Sequence, residues 1–237
     1  MCEPNRGGPS HEGAPVVLNV CIETSTTAVS VAVGNELGVL ASLEVHEGRR
    51  HAETLVPAID VLLRFLQRDR RELTHVAVDV GPGLFTGLRV GVATAKGLAL
   101  ALSIPVAPFG SLELLALAAD VPGPVLTALD ARRSELYAAV FTGSEVLVEP
   151  FGAKASEVVE QVVRLLGPTV RPTVVGNGTG LDPEWSRLLR VGAPDAVTMA
   201  RRIAVEFDDG SLAARLQRGD DVELRYLRAS DAELALQ

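Results

Sequence analysis

The sequence predicts an α/β fold made of two related lobes, each with a mixed sheet flanked by helices. Short apolar runs typical of buried strands are followed by apolar residues at helical spacing. The order strand–strand–strand–helix–strand–helix then begins a second time near residue 125. A chain of 237 residues, 47% of them hydrophobic, can also bury a substantial core in one domain or two small lobes.

The first lobe, which we place at residues 16–107, follows element by element from local patterns. A continuous apolar run predicts a buried strand, two further runs predict an antiparallel pair, and apolar residues three and four apart predict helices. Ile104-Pro105 ends the second helix because proline cannot continue one. In chain order we predict strands at 16–22, 29–34 and 39–45, a helix at 51–66, a strand at 75–80 and a helix at 87–102.

The second, smaller lobe is placed at residues 108–206 and repeats this plan. The stretches 17–33 and 125–141 both read strand, acidic turn, strand, with Asp130 aligned to Glu23. Their identity is weak, so a chance resemblance of two hairpins stays open. Beyond them we predict a helix at 156–166, a strand at 173–175, a loop at 176–180, a helix start at 182–183, and a last helix from about 198 that is interrupted near 208–210.

Composition excludes several classes of function. The net charge of −8 argues against a chain whose own surface carries most of a nucleic-acid contact. Two cysteines cannot make a disulfide framework, and the four histidines lack metal-site spacing. The polar tail at residues 1–15, expected to be disordered, lacks the apolar core of a signal peptide. We therefore expect a cytoplasmic protein with no metal of its own and no membrane partner.

Residues 80–102 carry the most distinctive motif, a glycine-rich loop that opens into a helix. A Walker-type phosphate loop needs Lys-Ser or Lys-Thr where Thr86-Gly87 stands, and a dinucleotide fingerprint needs glycine at position 86. Glycine inside a helix costs roughly 0.5–1 kcal/mol relative to alanine, which calls for a compensating gain. We interpret these glycines as a close-packing face, with ligand contact by the loop amides as the alternative. The small residues spaced four apart are Gly87, Gly91, Ala95 and Ala99.

A second candidate site lies at the turns that follow the first strand of each lobe. An acid followed by hydroxyl groups can hold a metal-bound phosphate, although tight turns favour the same residues. A glycine-rich loop in the second lobe could lie against a nucleotide. The residues that we place near a nucleotide are Glu23, Thr24, Ser25, Asp130, Gly176 and Gly178.

Five segments, taken together and in order, resemble the bacterial TsaB (YeaZ) family of tRNA threonylcarbamoyladenosine biosynthesis. The resemblance runs from about residue 16 to 228, and its most specific part is the glycine-rich segment. The segments are IETSTTAVSVAV, HAETLVPAIDVLL, VAVDVGPGLFTGLRVGVATAKGLALALSIPV, LDARRSELYAAVF and the terminal YLR.

The resemblance implies an actin-like, Hsp70-like (ASKHA) fold of two RNase-H-type lobes, with part of residues 207–237 packing on the first lobe. It also implies a partner, TsaD, the metalloenzyme that transfers threonylcarbamoyl to adenosine 37 of tRNAs reading codons that begin with A. TsaE and tRNA would join through the complex. ATP or ADP would bind at the interface with TsaD, and a homodimer would form without it.

The resemblance further implies a non-catalytic role. TsaD carries a similar glycine-rich segment followed by an HxxxH metal motif, and here Ser111 and Leu115 stand where both histidines would be. Leucine has no donor atom, and a neutral serine is a poor ligand. The family usually has aspartate where this chain has Glu23. The alternative is a stand-alone enzyme of the actin-like superfamily, either a small phosphotransferase or a peptidase.

The resemblance places the TsaD interface on helices of the first lobe. This fits the two apolar helices at 51–66 and 87–102, one of which is lined with small residues. We expect a second copy of the chain to use the same surface when TsaD is absent. The predicted interface residues are His51, Leu55, Ile59, Leu62, Gly87, Arg89, Gly91 and Ala95.

Overall fold

A computed structural model describes residues 17–46, 50–178, 181, 185 and 189–227, and it contains two mixed sheets of five strands each. The predicted tail at residues 1–15 and the predicted helix start at 182–183 lie outside the described residues.

The first sheet has the strand order β3-β2-β1-β4-β5. Strands β1, β2 and β3 form an antiparallel meander, and β4 and β5 add to it in parallel with β1. The strand bounds are β1 Leu18–Glu23, β2 Val29–Asn35, β3 Gly38–Val45, β4 His75–Asp79 and β5 Val106–Phe109.

The second sheet repeats this topology in the order β10-β9-β6-β7-β8. An antiparallel meander of three strands is again extended by two parallel strands. The repeated plan predicted from the sequence is therefore confirmed. The strand bounds are β6 Pro124–Arg132, β7 Glu135–Thr142, β8 Glu145–Lys154, β9 Thr173–Gly176 and β10 Leu189–Val191.

Six α-helices whose bounds the structure describes connect or follow these strands. The second one begins at Phe85 after Leu84, without a side-chain cap, so the expected start at residue 87 was two residues late. The fourth likewise begins at Ala155, one residue earlier than expected. The helices are α1 His51–Phe65, α2 Phe85–Leu102, α3 Ser111–Ala119, α4 Ala155–Leu166, α5 Ala196–Asp208 and α6 Leu212–Arg215.

The two lobes exchange helices. Helix α3 follows the last strand of the first sheet and packs on β6, β7 and β9 of the second. Helix α5 follows the last strand of the second sheet and packs on β1, β2 and β3 of the first. The lobe limits of 16–107 and 108–206 stay predictions. Helix α5 lies in the second of these ranges but packs on the first lobe, because its apolar face covers β1 and β2.

The core of the first lobe lies on both faces of its sheet. Helices α1 and α2 cover one face and bury the apolar stripe that predicted α1. Helix α5 covers the other face, where Met199 and Ile203 pack with Cys21. Val222 of the C-terminal segment is buried in the first core.

Helix α2 is, among the described residues, the one helix long and apolar enough to cross a membrane by length and composition. Core helices can meet the same criterion. Here α2 packs on β4 and α1, and Leu88, Val92 and Ala95 are buried.

Candidate functional site

Two buried carboxyl groups lie where strands β1 and β4 end. Glu23 is the last residue of β1 and Asp79 the last of β4, and both side chains are fully buried. Because β1 and β4 are parallel neighbours, their carboxyl ends meet at the same edge of the sheet. The polar turn after β1 and the glycine-rich loop after β4 therefore form one site.

Each carboxylate binds the loop that follows it. Glu23 Oε1 accepts hydrogen bonds from the backbone N–H and the hydroxyl of Ser25, both at 2.5 Å. Asp79 Oδ1 accepts from the N–H of Gly81 and the hydroxyl of Ser111, both at 2.7 Å. The second oxygen of each carboxyl, Glu23 Oε2 and Asp79 Oδ2, is buried without a hydrogen-bond partner. Part of this cluster is therefore satisfied internally and part is not.

Burial and repulsion from neighbouring carboxylates favour the protonated form of these acids. Burial raises the pKa of Asp79 to about 6, against which the hydrogen bonds from Gly81 and Ser111 act. Burial, followed by the charge of Asp79, also raises the pKa of Glu23 well above its ordinary value. Two adjacent carboxyl groups without a cation do not both ionise easily. We call Glu23, Asp79, Ser25 and Ser111 the acid cluster.

The glycines of the motif pack α2 and its loop against the turn after β1. A Cβ atom added to Gly83 would lie 2.5 Å from Ser25 O. One added to Gly87 would overlap the carbonyl oxygen of Thr24, and one added to Gly91 would overlap the Thr24 hydroxyl. These contacts support close packing over ligand contact as the reason for the glycines.

The two residues at the predicted metal-motif positions are both buried. Ser111 donates its hydrogen bond to Asp79, and Leu115 packs in a core cluster under the second sheet. Among the residues that the structure describes, no group of three or more histidine, cysteine, aspartate or glutamate side chains is placed to hold a metal ion.

The site residues predicted in the second lobe have local roles. Asp130 is exposed, and its carboxylate accepts a hydrogen bond from the Arg132 N–H. Gly178 donates its N–H to Ala128 O, and a Cβ atom at Gly176 would overlap the same carbonyl. Hence Gly176 and Gly178 hold their loop against β6, whereas Glu23 and Ser25 belong to the acid cluster of the other lobe.

The predicted interface residues lie mostly inside the molecule. Seven of them are buried, where they hold α1 and α2 on the sheet or against the turn after β1. Arg89 is exposed. Among the buried residues, His51 contacts the turn after β1, with its Nε2 atom 2.9 Å from the carbonyl oxygen of Thr26. The other buried residues are Leu55, Ile59, Leu62, Gly87, Gly91 and Ala95. The interface stays a prediction, and any contact on these helices involves their outer faces.

Sequence reasoning missed Asp79. It stands between a predicted strand and the glycine-rich loop, as Glu23 stands between a strand and a polar turn. An acid at the end of each of two parallel strands was the available signal.

Comparisons with known proteins agree with the fold and the motifs. A family described as TsaD, tRNA N6-adenosine threonylcarbamoyltransferase, matches residues 43–206. The tRNA threonylcarbamoyladenosine biosynthesis protein TsaB of Bacillus subtilis is 29% identical over 164 residues, which cover 68% of this chain and 72% of that protein. TsaB of Escherichia coli is 33% identical over 129 residues, covering 53% of this chain and 55% of that protein. The match thus spans little more than half of the Escherichia coli relative.

The solved structure of YeaZ from Pseudomonas aeruginosa superimposes with a TM-score of 0.71 at 24% identity, covering 89% of this chain and all of that one. This likeness confirms the predicted two-lobed α/β fold. With the family match over more than half of the chain and the relatives named TsaB, it follows that the chain belongs to the TsaB (YeaZ) family.

Proposed function

We propose that this chain is a non-catalytic subunit in the biosynthesis of threonylcarbamoyladenosine in tRNA, and that it pairs with TsaD in the cytoplasm. The names of its relatives support the pathway. The observation that carries the non-catalytic role is the closed acid cluster. Asp79 and Ser111 are both fully buried and hydrogen-bonded to each other, at the place where the resemblance would put an open metal centre.

The same geometry disfavours phosphate binding at the turn after β1. A phosphate group needs free N–H donors or cations. Here the N–H groups of Ser25 and Gly81 already donate to the carboxylates of Glu23 and Asp79. An incoming phosphate would meet two acids instead. We therefore propose that ATP or ADP binds at the surface shared with TsaD.

We place the TsaD surface on the outer faces of α1 and α2. Large apolar side chains are exposed there, with Phe65 at 78% and Leu100 at 81% of their full exposure. Gly97 is also exposed, and a Cβ atom added to it would meet no other atom within 4 Å. Apolar groups and a helix without bulk favour close approach by another helix. A second copy of the chain would use this surface when TsaD is absent.

Reconstitution of the modification tests the role. Purified TsaD, TsaE, tRNA, threonine, bicarbonate and ATP, with the enzyme that forms the threonylcarbamoyl donor, would be assayed with and without this chain. We expect modified adenosine only when the chain is present. The chain alone should show neither ATPase nor peptidase activity. Robust turnover by the chain alone would instead support the stand-alone enzyme.

A matched pair of leucine variants tests the surface. Leu100→Arg places a charge on the outer face of α2, whereas Leu165→Arg does the same on α4, where Leu165 is also exposed, at 56%. We expect the first variant to weaken TsaD binding by at least about tenfold and the second to leave it unchanged. Calorimetric titration with TsaD measures both affinities. Equal affinities for the two variants would contradict this placement.

A further inference from the structure

The C-terminal segment at residues 222–227 runs beside the loops that follow β4 and β5. It leaves the first core at Val222, which is buried, and Leu224 packs against the same core. The backbone N–H of Arg225 then donates to Val80 O at 2.8 Å, immediately after β4. The segment is therefore held to the first lobe at the point where the glycine-rich loop begins.

Arg225 lies over both loops that supply hydrogen bonds to Asp79. A Cβ atom added to Gly81 would be 3.1 Å from Arg225 O, and one added to Gly110 would be 3.4 Å from the guanidinium nitrogen Nη1. Gly81 donates to Asp79 directly, and Gly110 precedes Ser111, the second donor. The arginine backbone and side chain thus cover the acid cluster on the side of both loops.

Tyr226 anchors the segment on the first turn of α2. Its ring centroid is 5.3 Å from that of Phe85, and its hydroxyl accepts a hydrogen bond from Arg89 Nε at 3.2 Å. The Arg89 guanidinium also lies 3.7 Å from the centroid of the Phe85 ring. Aromatic pairs and cation–π contacts at such sites are individually modest. Because Tyr226 and Arg89 are exposed and Phe85 is half-buried, this anchor can be released without unfolding the core.

The segment also reaches the second lobe. A Cβ atom added to Gly152 of β8 would lie 3.7 Å from Leu227 O. We infer that residues 222–227 are a strap that is latched to α2 through Tyr226 and, while latched, closes the acid cluster at the junction of the two lobes. Release of the latch exposes the Gly81 and Ser111 donors and admits water to Asp79. The strap therefore controls access to the acid cluster.

Hydrogen exchange on the full chain tests the strap. Tyr226→Ala removes the ring and the hydroxyl, and Tyr226→Phe removes only the hydroxyl. Leu37→Ala is the matched control, because it removes an exposed apolar side chain between β2 and β3, on the side of the first sheet away from β4 and β5. In Tyr226→Ala we expect the amides of Gly81, Ser111 and Arg225 to exchange about tenfold faster, with a smaller change in Tyr226→Phe.

The control variant should keep the wild-type exchange rates, and so should the amides of β6 and β9 in Tyr226→Ala. Unfolding in urea, followed in parallel, separates release of the strap from a general loss of stability. Unchanged protection at Gly81 and Ser111 in Tyr226→Ala would overturn the proposal. An equal increase in exchange throughout both sheets would overturn it as well, because Tyr226 would then stabilise the whole fold. The result does not depend on the proposed pairing with TsaD.

Discussion

At the scale of single residues, the acid cluster stands out because it places two carboxyl groups together without a cation. Glu23 and Asp79 each have one oxygen that accepts two hydrogen bonds and one that has no partner. A buried polar atom without a partner costs free energy, and a buried charge without a counter-ion costs more. Protonation of one acid lowers both costs. This chemistry makes stability depend on pH in a direction that can be worked out.

Asp79→Asn is expected to raise the free energy of unfolding at pH 7.5 by about 1–3 kcal/mol. The pKa of Asp79 is raised to about 6 in the folded state, from 3.8. Between pH 3.8 and about 6 the folded state binds more protons at Asp79 than the unfolded state does. The contribution of Asp79 to the free energy of unfolding of the wild type therefore falls as pH rises through this window and is lost above it. Asparagine stays neutral and keeps an acceptor for Gly81 and Ser111. Urea unfolding between pH 4 and 8 measures the difference.

His75 acts in the opposite direction and is the internal check. Burial lowers its pKa to about 4, so its contribution to stability is lost as pH falls from about 6.5 toward 4. In the wild type, the changes that Asp79 and His75 cause in the free energy of unfolding as pH varies therefore partly cancel. In Asp79→Asn the His75 contribution remains, and stability should rise with pH over that window. The raised pKa of Asp79 would be contradicted if the difference in free energy of unfolding between Asp79→Asn and the wild type did not grow between pH 4 and 7.

At the scale of elements, α2 serves as the joint between the sheet, the turn after β1 and the strap. Its inner face is narrow at Gly87 and Gly91 because the Thr24 backbone and hydroxyl occupy the space where side chains would lie. Its outer face carries Gly97, which no neighbour crowds. Glycines in one helix thus have different physical reasons, and only their contacts distinguish them.

Alanine at these glycines should separate the two reasons. Gly87→Ala should lower the free energy of unfolding by about 1–3 kcal/mol or more, because the new Cβ overlaps a backbone carbonyl that cannot move easily. Gly97→Ala should raise it by about 0.5–1 kcal/mol through helix propensity alone. Equilibrium unfolding in urea measures both. Similar effects at the two positions would refute the packing interpretation.

At the scale of the whole molecule, the exchange of α3 and α5 joins the lobes into one unit. The junction is reinforced by Arg215, whose guanidinium donates to Glu206 of α5 at 2.7 Å and to Glu113 of α3 at 2.8 Å. Burial acts against the ionised form of Glu206, but hydrogen bonds from Arg215 and Arg202 lower its pKa overall. The first sheet is therefore not covered by helices of its own range alone, because α5 packs on it.

We expect the lobes to unfold together. Trp185 is the single tryptophan of the chain and is buried in the second core, whereas Gly87 lies in the first lobe. In Gly87→Ala, the urea midpoint followed by Trp185 fluorescence should fall as far as the midpoint followed by far-ultraviolet circular dichroism. A Trp185 midpoint that stays at its wild-type value would show that the lobes unfold independently.

The sequence by itself determined the class of fold, the repeated strand order, the helix stripes and the family. These features follow from local periodicity and from motifs, which short segments carry on their own. Tertiary structure decided which residues face outward. It placed Leu55, Ile59 and Ala95 in the core, because a helix stripe shows which side is apolar but not what covers it. It also brought Asp79 beside Glu23 and laid Tyr226 on α2, since contacts between residues far apart in the chain arise only when strands and segments pair in space.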